Sequence, residues 1–221
     1  NDQDSKGKRS EKLILNAYAR DNYQRERLND GLKDVSNDDL IIVGDLDEIP
    51  NLFGINLKNV NNKIIIFQQK LYCYKLNLLY ENFIWHGSKA CKKKYFTSPQ
   101  WLRNIKHKKY SRWRLDLFFS KNKFNDIYYV KNGGWHFTYL KTPEELEKKL
   151  LNFAHHHEFE NSGLNLNDLK RFVKEKRIIY DYKADQKKYK WSGETKLKTI
   201  NDADLPEYIF LNKSKYSNWL D

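Results

Sequence analysis

The sequence predicts an α/β fold in which helices flank a sheet, on the basis of three observations. Short apolar runs rich in β-branched residues, such as Leu40–Val43, have the length and composition of buried strands. Segments with apolar residues at i, i+4 spacing and with capping residues at their ends alternate with those runs. The chain has 221 residues, 39% of them hydrophobic, which is enough for one domain with a core. We predict a single domain over residues 1–221.

The first predicted element is a helix over residues 10–33. Ser10 is its candidate N-cap, and Arg25 lies on its polar side. Its apolar residues at helical spacing are Leu13, Ala17, Leu28 and Leu32. Such a helix packs on a sheet and can direct a basic side chain towards phosphates.

The central element is the strand Leu40–Val43, which runs directly into three acids. Its uninterrupted apolar run is typical of a strand buried on both faces, and Pro50 is expected to end the extended segment. Ligands of open α/β sheets lie beyond the carboxyl ends of the strands, where Asp45, Asp47 and Glu48 follow. If the backbone stays extended, Asp45 and Asp47 point the same way and converge. Two close carboxylates favour Mg²⁺ or Mn²⁺ carrying a substrate's phosphates, although a solvated acidic turn explains the same residues.

The later elements follow from the same local signals. One long or two short strands are predicted over residues 63–75, and a short strand over 126–130. Thr142 and Pro143 begin a helix that runs to about residue 153. A further helix is predicted over 167–178, a polar hairpin or loop to about 199, and a capping helical segment over 205–220.

A basic and aromatic stretch covers residues 89–114, where ten Lys or Arg are interleaved with aromatic side chains and no acid occurs. That composition is typical of a nucleic-acid groove, and also of a surface that attracts an anionic substrate. The net charge of +12 favours an anionic partner such as a nucleotide, a nucleic acid or an acidic lipid face. Both interpretations stay open.

Two further places carry histidines. Gly133 and Gly134 precede Trp135 and His136, so a glycine turn presents one imidazole between aromatic rings, either as a ligand or as a core residue. The run His155-His156-His157 is a weak metal signal, because same-face residues on a helix are three or four apart.

No segment indicates a membrane span or a signal peptide, and Cys73 and Cys91 give no disulfide framework. The absence of Met predicts that residues have been lost upstream of Asn1. Richness in Lys, Asn and Ile favours an AT-rich bacterial or viral genome and a cytoplasmic location. A Golgi lumen stays open if an upstream anchor was removed.

The order of several short motifs resembles glycosyltransferase family 17, the β-1,4-mannosyl-glycoprotein β-1,4-N-acetylglucosaminyltransferases. The resemblance spans nearly the whole chain. The matching residues are Gln24-Arg25 with Gly31-Leu32, Asp45–Pro50, Trp85 with Gly87, Ser98–Arg103, Gly133–Phe137 with Thr142-Pro143, and Leu205–Tyr208.

The resemblance implies a GT-A-like nucleotide-diphospho-sugar transferase fold, a Rossmann-like mixed sheet flanked by helices, and inverting transfer from a UDP-sugar such as UDP-GlcNAc to a glycan. Asp45 and Asp47 form the implied DxD pair on Mn²⁺ or Mg²⁺, with His136 as a further metal or diphosphate ligand. Arg25 and Trp135 match the family's donor-side motifs. A nucleic acid is not an obligatory partner in this interpretation.

Two departures from the family pattern shape the expectations. The family's first strand–helix unit is missing upstream of Ser10, which predicts an N-terminally truncated chain. No motif singles out the catalytic base, for which Glu158, Asp116 and Glu81 are candidates. Three other functions compete with sugar transfer. They are nucleic-acid binding by residues 89–114, metal-dependent phosphohydrolysis on the same acids, and a non-catalytic remnant.

Overall fold

The computed structural model describes residues 6–111, 113–152, 156–184 and 189–221, which form a mixed α/β structure. The described α-helices are α1 (Lys6–Glu26), α2 (Pro99–Asn104), α3 (Asp116–Phe119), α4 (Pro143–Leu151), α5 (His156–Ser162), α6 (Leu166–Lys174) and α7 (Glu207–Leu211). The described strands are β1 (Leu40–Val43), β2 (Glu48–Pro50), β3 (Ile64–Cys73), β4 (Leu78–Lys92), β5 (Ile127–Val130), β6 (Gly134–Thr138) and β7 (Lys198–Thr199).

The described strands form one seven-stranded mixed sheet. Its order is β1-β4-β3-β6-β2, with β5 beside β3 and β7 beside β4. β1 pairs antiparallel with β4, and β2 pairs antiparallel with β6, whereas β5 runs parallel to β3. The predicted α/β class is therefore confirmed as a mixed sheet flanked by helices, an arrangement compatible with a Rossmann-like fold.

β3 is the strand that is buried on both faces. Ile64 and Ile66 belong to one apolar cluster, whereas Ile65 and Phe67 belong to another, and all four are almost fully buried. Because successive side chains of a strand point to opposite faces, the uninterrupted apolar run supplies both clusters at once.

β1 has the predicted bounds but is less buried than its composition indicates. Ile41 and Val43 are buried, whereas Leu40 and Ile42 are only partly covered. Leu40 and Ile42 nevertheless pack against the cluster that contains Ile65 and Phe67. Burial of the two faces of β1 is therefore complete for Ile41 and Val43 and partial for Leu40 and Ile42.

The helix termini show how far local signals determine the elements. Thr142 Oγ1 accepts a hydrogen bond from Glu145 N at 3.3 Å, and Glu145 Oε2 accepts one from Thr142 N at 3.1 Å, so the predicted start of α4 is confirmed by a complete capping box. The first helix differs from its prediction. Ser10 lies inside α1 and is not its N-cap, and the α-helix ends at Glu26, after which Arg27–Leu32 form a 3₁₀ helix.

The chain divides into two compact units. The helical unit comprises the described residues of 1–23, 72–83 and 137–221, and the acidic-turn unit comprises 24–71 and 84–136. In the helical unit, Tyr80 donates its hydroxyl hydrogen to Asp181, which also accepts from Thr195 Oγ1 at 2.8 Å. The assignment of the whole chain to one domain stays a prediction.

Across the described ranges, no helix is both long enough and apolar enough to traverse a bilayer.

Candidate functional site

The acidic turn, Asp45–Glu48, joins β1 to β2 in the acidic-turn unit. Glu48 N donates to Asp45 O at 3.0 Å, and Asp45 N donates to Glu48 Oε2 at 3.1 Å. These bonds close a β-turn, and Leu46 is fully exposed in it. The expectation that the backbone stays extended from Asp45 to Asp47 is therefore wrong, because the Glu48 carboxylate satisfies the Asp45 N–H and the chain reverses.

Glu48 anchors the turn from beneath. Its side chain has no exposed surface and accepts two hydrogen bonds from Arg103, at 2.8 Å to Oε2 and 3.0 Å to Oε1. Trp85 Nε1 donates to Oε1 at 2.8 Å, and Ser88 Oγ donates to Oε2 at 3.4 Å. A buried carboxylate requires such compensation. Glu48 is thus a structural anchor whose oxygens are already engaged.

Gly87 leaves the space in which this anchor packs. A Cβ at this position would lie 2.3 Å from Gln69 Oε1 and 2.6 Å from Glu48 Oε1, closer than real Cβ atoms approach oxygen. The same holds at Gly44, where a Cβ would lie 2.6 Å from Ser88 Oγ. Gly87 is therefore required by the close approach of Gln69 and the Glu48 carboxylate, and Gly44 by the close approach of Ser88.

Asp45 faces two arginines. Arg103 Nη2 donates to Asp45 Oδ2 at 2.7 Å, and Arg25 Nη2 lies 3.5 Å from Asp45 Oδ1. Gln100 holds Arg25 by accepting from its Nη1 at 3.1 Å. The predicted donor-side residue Arg25 is thereby brought to the acidic turn. The charge of Asp45 is already compensated by guanidinium groups, and its role as a metal ligand stays a prediction.

Asp47 pairs with His136 on the neighbouring strand. Register between β2 and β6 places Glu48 opposite His136, and Asp47 Oδ2 lies 3.4 Å from His136 Nε2. The imidazole packs against Trp85 with ring centroids 4.4 Å apart and ring planes tilted by 31°, while the Trp85 indole donates to Glu48. Nε2 is the ring nitrogen directed at the carboxylate. The other ring nitrogen, Nδ1, is buried without a hydrogen-bond partner.

The Asp47–His136 pair has the donor atoms and spacing for a divalent cation. Adjacent ligands of an octahedral Mg²⁺, each at 2.0–2.1 Å, are about 3 Å apart, close to the observed separation. Mg²⁺ binds through one or two carboxylates and takes its remaining ligands from water and substrate phosphates. Within the described residues, no group of three or more His, Cys, Asp or Glu side chains is placed to hold a metal alone. The role of Asp47 and His136 as metal ligands stays a prediction.

Trp135 and Asp116 are the other predicted site residues of the acidic-turn unit. Trp135 is opposite Ile49 in the β2–β6 register, and its carbonyl accepts from Gln69 Nε2 at 3.4 Å. Hydrogen bonds from Arg114 and Lys123 hold the pKa of Asp116 well below its ordinary value, which makes this carboxylate a weak base.

The remaining base candidates belong to the helical unit. Glu158 is an exposed residue of α5, and Glu81 pairs with Lys198 at 2.7 Å. Of the three adjacent histidines, His155 lies outside the described residues, and His157 Nδ1 is 3.3 Å from Glu160 Oε2. The assignment of a catalytic base stays a prediction.

Lys89 supports the site from β4. Its Nζ donates to the carbonyls of Arg103 at 2.5 Å and Ile105 at 2.6 Å, which fixes the end of α2 that carries Arg103. Burial, reinforced by the charge of Arg103, lowers the pKa of Lys89 to about 8. A partly desolvated cation therefore sits behind the guanidinium that engages Asp45 and Glu48.

His86 and His107 form a stacked pair on the same unit. Their ring centroids are 4.3 Å apart with an interplanar angle of 9°, and His86 Nε2 is 3.2 Å from Gln68 Nε2. Burial, followed by the nearby His107 and Lys89, lowers the pKa of His86 to about 4. The folded protein therefore holds His86 neutral.

We expect His86 to make the protein less stable in acid. Between about pH 6.5 and about pH 4 the unfolded chain binds a proton at His86 that the folded chain does not, so stability present above this window is lost as the pH falls through it. The replacement His86→Phe should reduce that loss, as measured by urea midpoints across the window. Tyr23→Phe, at an exposed aromatic residue of α1, is the control and should leave the loss unchanged. Equal pH dependence in His86→Phe and the unmodified protein would contradict the assignment.

Arg103 and Lys89 belong to the basic stretch 89–114, but no sequence signal assigns either of them a role at the acidic turn. Ser98 as N-cap and Pro99 at N1 are the local signals for the start of α2. Arg103 lies in the last turn of that helix. That local signal finds the helix but not the partners of Arg103, because Glu48 and Asp45 are distant in sequence.

Comparison of the chain with protein-family models, with curated proteins and with solved structures finds no match.

Proposed function

We propose that this chain is a glycosyltransferase of the GT-A type that moves a sugar, N-acetylglucosamine in the first instance, from a UDP-sugar to a glycan hydroxyl with inversion. The observation that carries the proposal is the Asp47–His136 pair, which joins two motifs of the family resemblance at 3.4 Å. Neither motif alone indicates a nucleotide-sugar site. The pairing of β2 with β6 brings one residue of each motif into contact, and this contact supports the proposal.

In this proposal Asp47 Oδ2 and His136 Nε2 hold Mn²⁺ or Mg²⁺, and the donor's diphosphate completes the coordination. Bound there, the cation would offset the negative charge that develops on the departing UDP. The chain's own part is to position the imidazole. Trp85 packs against the imidazole ring, Glu48 accepts a hydrogen bond from the Trp85 indole, and Arg103 donates to Glu48, so His136 is supported by a chain of hydrogen-bonded groups.

Arg25 is the basic group that suits the donor's phosphates. Its side chain is 29% exposed, more than the 12% of Arg103, and its contact with Asp45 is the longer one at 3.5 Å. Because this contact with Asp45 is long, the Arg25 guanidinium can direct one or more of its N–H groups to a diphosphate oxygen of the donor. Asp45 in this scheme orients Arg25 as well as contributing to the cation's field. Asp116 is a poor candidate for the base that accepts the proton of the acceptor hydroxyl, because hydrogen bonds from Arg114 and Lys123 lower its pKa. The assignment of Glu158 as the base stays a prediction.

Calorimetric titration of UDP-GlcNAc, and separately of UDP, tests the donor site. We expect binding that requires Mn²⁺ and that disappears in Asp45→Ala/Asp47→Ala. The acidic control Asp34→Ala/Asp38→Ala removes the same charge from an exposed region just before β1 and should bind as the unmodified protein does. Metal-independent binding, or equal loss in both double variants, would contradict the proposal.

The two main competing functions give different results on the same preparations. A phosphohydrolase would release phosphate from a nucleotide without an acceptor sugar. A nucleic-acid-binding protein would bind an oligonucleotide in a salt-sensitive way, and that binding would survive Asp45→Ala/Asp47→Ala.

A further inference from the structure

Residues 113–119, the apolar segment, expose an unusual density of large apolar side chains. Trp113 is 92% exposed, Leu115 75%, Phe118 78% and Phe119 90%. Large apolar residues scattered singly on a surface need no explanation, but four within seven residues form a patch that water solvates poorly. The segment includes α3, so its apolar side chains project from ordered backbone.

The apolar segment is tied down at its base. Lys106 N donates to Asn122 O at 2.8 Å, and Trp101 Nε1 donates to Lys121 O at 2.8 Å, so backbone on the two sides of the segment is joined. Leu117 N and Phe118 N donate to the carbonyls three residues earlier, which closes the single turn of α3. The exposed side chains are therefore held outward by a closed frame rather than by extended chain.

The frame also neutralises the one acid in the region. Asp116 is the only Asp or Glu between residues 89 and 125. Its carboxylate accepts from Arg114 at 2.8 and 2.9 Å and from Lys123 at 2.7 Å. Because both carboxylate oxygens are engaged by cations, the segment presents no net negative charge to a partner.

Further cations flank the apolar segment in the sequence. Lys106, Lys108, Lys109 and Lys121 are exposed, and none of them forms an ion pair with any residue that the structure describes. They are available to an anionic surface. We call these four lysines the collar. The apolar segment and the collar together supply the hydrophobic and the electrostatic attraction that bring a protein domain to an anionic bilayer.

We propose that the apolar segment docks this protein on the surface of an anionic phospholipid membrane. The aromatic and leucine side chains enter the boundary between headgroups and acyl chains, and the collar lysines contact the headgroup phosphates. The basic charge alone would also suit nucleic acid, but single-stranded nucleic acid is held by grooves and by stacking on ring faces. Leu115 has no ring to stack, and the exposed side chains project outward. The inference does not depend on the proposed sugar transfer.

Sedimentation of the full chain with vesicles tests this surface. We expect binding to phosphatidylcholine vesicles that contain phosphatidylserine, weak binding to phosphatidylcholine alone, and weakening as salt is raised. The variant Trp113→Ala/Phe118→Ala/Phe119→Ala should lower the partition coefficient at least about 100-fold. The control Tyr23→Ala/Tyr208→Ala/Leu211→Ala removes three comparably exposed apolar side chains elsewhere and should bind as the unmodified protein does.

The collar is tested separately. Changing Lys108, Lys109 and Lys121 to Gln should weaken binding about fivefold per charge. The matched triple Lys33→Gln/Lys131→Gln/Lys174→Gln lowers the net charge equally at other exposed positions and should have a much smaller effect. Equal effects of the two triples would show general electrostatic attraction and would overturn the assignment to this collar.

Fluorescence locates the contact. Vesicle addition should shift the tryptophan emission to shorter wavelength, and Trp113→Phe should bind comparably while losing most of that shift. An unchanged shift in Trp113→Phe, or absence of vesicle binding, would overturn the proposal. So would oligonucleotide binding that the apolar triple abolishes while vesicles are not bound. Urea midpoints of all variants establish that the exposed substitutions leave the fold intact.

Discussion

Asp47→Ala is expected to lower donor turnover by about 10²–10³-fold, the range found when one preorganised charge-stabilising group is removed from an active site. The side chain of Asp47 is 42% exposed, so the free energy of unfolding should change little. Turnover is measured as UDP release from UDP-GlcNAc with Mn²⁺ and mannose-containing glycan acceptors. The Mn²⁺ concentration for half-maximal rate should rise in the same variant, because a ligand is lost.

The control for Asp47→Ala is Asp34→Ala, an exposed aspartate in the segment before β1, which should retain full turnover. Retained turnover in a folded, metal-stripped Asp47→Ala protein would contradict the assignment of a cation to this turn. A loss of activity accompanied by an equal loss of stability would show that Asp47 acts on the fold instead.

His136→Ala shows whether Asp47 and His136 act as one unit or make two independent contributions. If Asp47 and His136 hold the same cation, the second substitution has little left to remove, and Asp47→Ala/His136→Ala should be close to the more severe single variant. Two independent roles would instead multiply the two losses. The 3.4 Å separation predicts the first result.

Much of the fold follows from local signals in the sequence. The capping box at Thr142 starts α4 without help from the rest of the chain, and the β-branched run of β3 buries both faces wherever the sheet places it. The predicted start of α1 is wrong because Ser10, a good cap in isolation, is also compatible with a helix interior, and the Lys and Arg residues before it favour helix despite Gly7. Local propensity does not decide between those two positions.

The acidic turn could not be predicted because its geometry depends on distant residues. An extended Asp45-Leu46-Asp47 is reasonable for an isolated strand end. In the folded chain, Arg103 brings Glu48 beneath the turn, and the Glu48 carboxylate then takes the Asp45 N–H. The pairing of Asp47 with His136 likewise needs the β2–β6 register, which no local pattern specifies. The resemblance named both residues, but only the register brings them together.

Arg103→Met is expected to destabilise the acidic-turn unit by about 3–5 kcal/mol, the cost of leaving one partner of a buried ion pair uncompensated. The Glu48 side chain has no exposed surface, and the substitution removes both guanidinium bonds to it. Trp85, Ser88 and the Asp45 N–H remain as donors, which does not balance a full negative charge. The measurement is the urea midpoint, with the slope checked for unchanged cooperativity.

Two further variants decide whether burial is the cause. Arg114→Met breaks an equally bidentate pair with Asp116, but those side chains are 53% and 40% exposed, so solvent screens the pair and the midpoint should move far less. Glu48→Gln/Arg103→Met removes the stranded charge and keeps an acceptor for Trp85, so it should be more stable than Arg103→Met alone. If Arg103→Met and Arg114→Met were equally mild, the Glu48 carboxylate would have to reach water or a proton in the variant. The Glu48–Arg103 pair would then contribute no more to stability than a surface ion pair. It would not hold Trp85 rigidly against His136.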